Sequence, residues 1–237
     1  MGRLLEDPRL KDREQVFKDR RDAGRRLAVA LAEYQGRGVR LFAIPAGGVP
    51  VAAEIALAFR IPLDLIIVRK IQLPWTTEAG FGALDPEGRA LFNEDLVARF
   101  GLSPEEIERQ VQKTLASLKE REARLRGGRP YPPLEGAPVM VVDDGLASGY
   151  TMRAAVRFLK EKGAGEVICA VPTGSRRTVQ ELLPQVDVLA CLNVRGGWSF
   201  AVADAYELWY DLTEAEVQEI MAEVSRALAG QPGGEGG

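Results

Sequence analysis

Residues 139–151 read VMVVDDGLASGYT: four apolar residues, two acids, then small and hydroxylated residues leading into a helical stretch that ends near Lys162. Unbroken apolarity over so short a run marks a strand covered on both faces, as in a parallel sheet. The strand is expected to end in Asp143 and Asp144, with a turn over 145–149 and a helix over 151–162. Small residues at a helix start leave backbone N–H groups free to converge on one anion, where larger side chains would block its approach. The helix dipole contributes about 0.3–1 kcal/mol at such a place, and charge-assisted hydrogen bonds from amides and hydroxyls contribute more. Ala147, Ser148, Gly149, Tyr150 and Thr151 are therefore the candidate phosphate cradle. The two carboxylates cannot share that phosphate without repulsion, so they need a partner that offers donors, such as ribose hydroxyls. A sugar 5-phosphate suits both halves of the run.

Upstream, residues 40–44 (RLFAI) read as a strand, Pro45-Ala46-Gly47-Gly48 as a turn, and 49–59 as a buried helix with Pro50 near its start. A second strand is expected over 63–68, with Arg69 and Lys70 at its end. Beyond it, Pro74, Gly80, Gly82, Pro86 and Gly88 rule out a helix and suggest a hairpin around Asp85-Pro86-Glu87-Gly88, with a mobile stretch over 72–80. Residues 12–34 carry apolar positions at helical spacing under a charged face. Ser103-Pro104 opens the clearest helix, whose narrow stripe at 107, 111, 115, 118 and 125 suits either a dimer or the domain itself. Downstream, strands at 166–171 and 186–192 bracket a helix after Ser175, and a last helix starts at Thr213. This alternation builds an α/β fold, an open parallel sheet of about five strands flanked by helices. Ligands of such sheets sit beyond the carboxyl ends of the strands, where Ala46-Gly47-Gly48, Arg69-Lys70 and the run from Asp143 all fall. The expected organisation is one domain over 1–229 with a core of about 36–195, and a disordered glycine-rich tail over 230–237.

Composition narrows the chemistry. The 237 residues contain no histidine, which removes His-based triads, HExxH zinc sites and a histidine general base. With 31 basic and 34 acidic residues the net charge is -3, so there is no global field for a nucleic acid, and phosphate binding must be local. Cys169 and Cys191 lie in apolar strand-like runs and read as core. Two such cysteines, no apolar leader after Met1 and no bilayer-length run lead to the expectation of a cytoplasmic protein without membrane contact.

The run VMVVDDGLASGYT resembles the phosphoribosyl pyrophosphate motif of the type I phosphoribosyltransferases. The similarity extends to IPAGGVPVA (44–52), VRK (68–70), Asn93-Glu94 and PTG (172–174). The resemblance implies a 5-phosphate held by 147–151, catalytic roles for Asp143, Asp144 and Lys70, and a pyrophosphate held by Ala46, Gly47, Gly48, Arg69 and Lys70. It implies magnesium carried in by the pyrophosphate rather than by a dedicated protein site, with Asp143 and Asp144 as the carboxylates at hand. It implies a lid over 72–80, where Glu78 is the carboxylate available as acid or base, and a small hood from the terminal segments. Trp198 and Phe200 would line its acceptor pocket, and a homodimer is in keeping with the family. The implied function is transfer of 5-phosphoribose to a small nitrogenous base; a non-catalytic sensor of the same fold is the alternative.

Two positions depart from that pattern. Ala46 stands where similar members carry a basic residue, and Ala147 where the 6-oxopurine enzymes carry aspartate, which points away from hypoxanthine and guanine. Each feature also has a plainer reading. Asp-Asp-Gly alone is a strand-ending turn, Arg69-Lys70 a solvated strand end, and the late aromatics core. The small-residue run after the acids separates these readings.

Overall fold

The computed structural model describes residues 2–77, 79–197 and 199–230. Its strands are β1 (Arg3–Leu5), β2 (Arg40–Ala43), β3 (Leu63–Leu65), β4 (Arg69–Gln72), β5 (Gly80–Leu84), β6 (Ala90–Phe92), β7 (Pro138–Val142), β8 (Glu166–Ser175) and β9 (Val188–Arg195). Its helices are α1 (Arg20–Ala30), α2 (Gly48–Phe59), α3 (Glu94–Phe100), α4 (Pro104–Arg126), α5 (Tyr150–Glu161), α6 (Arg176–Leu182) and α7 (Glu214–Ala229).

Six strands form one parallel sheet in the order β1-β9-β8-β7-β2-β3. Successive side chains on a strand point to opposite faces, and the core divides accordingly. Met140, Val142, Ile168 and Ala170 join Leu27, Val51, Ile55 and Val217 on the α1, α2 and α7 side. Val139, Val141, Val167 and Cys169 join Met152, Phe158, Val179 and Leu182 on the α5 and α6 side. Burial on both faces explains the unbroken apolar runs. The sixth strand, β1, is three residues long at a sheet edge, too short to carry a pattern of its own.

The second sheet, β4-β5-β6, is antiparallel and lies between α5 and α4. The hairpin around Asp85 to Gly88 is present as β5 and β6. The expected strand over 63–68 stops at Leu65, and Arg69 and Lys70 open β4 instead of ending a strand of the main sheet. The helix expected over 12–34 starts only at Arg20, because Asp19 caps it by accepting from the Asp22 amide, while Gln15 to Lys18 run beside Asp204 to Leu208. The PTG segment continues β8, which pairs with β9 as far as Ser175, beyond the strand end expected at residue 171. Local signals hold at the α4 start, where Ser103 and Glu106 form a capping box with Pro104 in the first turn, and at α7, boxed by Thr213 and Glu216.

Candidate functional site

The chain leaves β2 for α2 on one face of the sheet and β7 for α5 on the other, although β2 and β7 are neighbours. Two connections that diverge in this way open a crevice between them, at the point where strand order reverses. Both glycine-bearing turns fall there. A Cβ on Gly47 would lie 1.9 Å from Asp144 Oδ2, and one on Gly48 would lie 2.5 Å from the Val142 carbonyl oxygen. Only a bare backbone allows the 45–48 turn to lie against the acid pair.

The acid pair has a cation of its own. Arg20, from the start of α1, donates through Nε to Asp144 Oδ2 at 2.9 Å and through Nη1 to the Tyr210 carbonyl at 2.8 Å. Its guanidinium lies 3.8 Å from the Trp209 ring centre, and the Tyr206 hydroxyl donates to the Asp144 carbonyl at 2.6 Å. Burial pushes the Asp143 carboxyl well above the ordinary aspartate range, and the adjacent Asp144 carboxylate pushes it further. Asp144 is also raised by burial, with Arg20 opposing the shift. Each of the two crowded carboxyls disfavours the other's charge, so the crevice favours donors or cations that relieve that repulsion.

The cradle follows at once. Leu146 is tied into β8 by its amide and carbonyl, bonding Thr173 and Ser175, and the Ala147 carbonyl accepts from the Thr178 hydroxyl. Gly149 takes a left-handed conformation (φ 76°) with no side-chain cap at the α5 start. No acceptor among the described residues takes the amide hydrogens of Ala147, Ser148, Gly149, Tyr150 or Thr151. With their carbonyl side anchored and their donors open beside a cleft of about 750 Å³, these residues have the geometry of an anion nest.

The other expected residues are distributed differently. Arg69 is turned toward α4, where its Nη2 donates to Ser117 Oγ at 3.0 Å. Arg69 and Lys70 share a small cleft of about 230 Å³ with Gln72, Lys113, Thr114 and Ser117. The expected mobile stretch over 72–80 is the connection between β4 and β5, tightened by hydrogen bonds from Leu73 to Ala79 and from the Gln72 side chain to Thr77. The ring of Trp75 there meets Phe100 of α3 edge-on. Phe200 lies over Arg195, which pairs with Glu14, and the rings at the acid pair are Tyr206 and Trp209. Glu78, Trp198 and residues 231–237 lie outside the described residues. Arg20 gave no signal in the sequence beyond its place in a charged helical run. Cys169 and Cys191 are fully buried, which raises both thiols, and they take no part in the site.

The fold is an open-sheet α/β protein whose acid pair and glycine-bearing turns meet at the strand-order reversal. The chain belongs to the phosphoribosyl transferase domain family, whose sequence model matches residues 13–207. Two Mycobacterium tuberculosis proteins named "Putative phosphoribosyl transferase" are each 37% identical to it over 212 residues, 90% of this chain and 47% of theirs. The chain thus spans about half the length of these curated relatives. The crystal structure of the Thermus thermophilus protein TT1426 is similar over 87% of this chain and 98% of its own, at 32% identity and a TM-score of 0.70. Among the described residues no helix is long and apolar enough to cross a membrane.

Proposed function

We propose that the chain binds phosphoribosyl pyrophosphate and transfers its 5-phosphoribosyl group to a small nitrogenous base with release of pyrophosphate. The observation that carries this reading is the set of open amides at 147–151 placed just after two half-buried acids. The amides and the Ser148 and Thr151 hydroxyls hold the 5-phosphate, as charge-assisted donors do. Asp143 and Asp144 accept from the ribose hydroxyls and favour the positive charge that develops on the ribose as the pyrophosphate departs. The 45–48 turn offers backbone close to the leaving group, and Lys70 on the exposed side of β4 offers charge.

No cluster of three metal-ligating side chains occurs among the described residues. The acid pair nevertheless suits a magnesium ion that arrives already bound to pyrophosphate oxygens, since a cation there would relieve the crowding of the two carboxyls. Magnesium would neutralise charge on the leaving pyrophosphate.

One observation favours the second reading, a non-catalytic sensor of phosphoribosyl pyrophosphate or a nucleotide. The 45–48 turn has Ala46 in place of a cation, and Arg69 is engaged with α4 instead of facing the turn. Incubation with phosphoribosyl pyrophosphate, magnesium and a panel of bases, with pyrophosphate as the readout, separates the two. Release that depends on one base supports the transferase. Tight binding without release supports the sensor, and no binding at all overturns both.

A further inference from the structure

Arg20 engages one of the two Asp144 carboxyl oxygens. Oδ2 is closed on one side by Arg20 Nε at 2.9 Å and on the other by Gly47, where even a methyl group would come within 1.9 Å. Oδ1 is the carboxyl oxygen that Arg20 leaves unengaged. Arg20 is itself a fixture: its side chain is 7% exposed, its far nitrogen bonds the Tyr210 carbonyl, and Trp209 lies against its plane. Exposed ion pairs swing and contribute little, whereas a planar guanidinium held at both ends keeps its direction. The Tyr206 hydroxyl anchors the Asp144 backbone, so side chain and main chain are both set from the terminal segments.

We propose that Arg20 is the positioning residue of the acid pair: by engaging one oxygen of Asp144 it aims the other at a sugar hydroxyl, and so makes the site select a sugar that keeps its vicinal hydroxyls. This rests on the sugar-phosphate reading above. A site built to accept from a hydroxyl rejects the analogue without it, because a desolvated acceptor is then left unpaired.

Two probes separate the cradle from the acid pair: 1-O-methyl ribose 5-phosphate and its 2,3-dideoxy counterpart, both titrated calorimetrically. The wild-type protein should prefer the hydroxylated probe by about tenfold or more, the worth of one hydrogen bond to an ionised group. Arg20→Gln should bring that ratio close to one while leaving affinity for the dideoxy probe unchanged, and Arg20→Lys should restore much of it. Should Arg20→Gln fail to fold, Trp209→Leu removes the platform under the guanidinium, keeps every ion pair, and should lower the ratio in part. A wild-type ratio in both Arg20→Gln and Trp209→Leu overturns the inference. So does a parallel fall for both probes that tracks melting temperature, which would make Arg20 a structural residue only. If the wild-type protein binds both probes equally, the phosphate reading stands and this inference fails. If it binds neither probe, the phosphate reading itself fails.

Discussion

Gly47 has helical torsions (φ -60°, ψ -34°) that any residue adopts, so its need to be glycine is purely a matter of contact with Asp144. Gly47→Ala should therefore displace the carboxylate while the fold survives. We expect affinity for phosphoribosyl pyrophosphate to fall by at least about tenfold, since displacements near 1 Å suffice for losses of this size. Calorimetry beside a circular-dichroism melt checks it, and unchanged affinity would show that the turn and the acid do not work together. Asp143 yields a prediction of opposite sign. Its folded-state carboxyl is raised by burial and by Asp144, so the folded protein holds that proton more tightly than the unfolded chain does. The resulting stability is fully present below the ordinary aspartate value of 3.8 and is lost as pH rises through the raised folded value. Asp143→Asn removes that loss. In chelator and without ligand, the variant should melt higher than the parent at neutral pH, with the gap closing toward acid. In a chain of this size each kcal/mol of relieved cost corresponds to about 2–4 °C. A gap that stays constant with pH would contradict it.

At the scale of elements, the small sheet is fastened to the cradle helix through one buried acid. Asp85 is fully buried and accepts from the Glu87 and Arg89 amides, from Arg89 Nε and from Arg157 Nη2. Arg157 belongs to α5 and also donates to the Arg89 and Ala90 carbonyls, so the β5–β6 turn and the helix move as one. Asp85→Ala leaves two guanidinium groups and two amides short of an acceptor. A loss of about 2–3 kcal/mol is expected, in the range for hydrogen bonds to charged groups. Hydrogen exchange should accelerate over 80–92 before it does in β7, and uniform exchange would argue against a local fastening. Composition marked this segment as a hairpin because Asp, Pro and Gly favour turns whatever surrounds them. The same local logic failed at 63–68. An apolar run shows that residues are covered, not which sheet covers them, and here the run divides between β3 and the approach to β4.

Across the whole molecule, α4 and the small sheet are joined to the main sheet through Arg126, whose side chain is 1% exposed. It bonds Asp64 Oδ1 at 2.6 Å and the Leu65 carbonyl at 2.7 Å, pairs with Glu122 and lies 3.7 Å from the Tyr131 ring centre. Tyr131 in turn accepts from the Ile67 amide, and burial drives its hydroxyl upward. Arg126→Ala leaves the half-buried Asp64 and Glu122 carboxylates without their cation and should cost about 2–3 kcal/mol. The urea midpoint should fall with little change in slope, and an unchanged midpoint would show that α4 is held by its apolar face alone. The parallel class of the sheet, the helix caps and the small-residue turn after the two acids were legible in the sequence. Each depends on residues within a few positions of one another, where periodicity, glycine and capping chemistry act directly. The tertiary structure alone decided that Arg20 reaches Asp144 across 124 positions, that Arg69 turns to α4, and that Tyr206 and Trp209 stand at the acids. Contacts at such separation are chosen by the packing of whole elements, and a charged position in a helical run looks the same whether water or a buried carboxylate receives it.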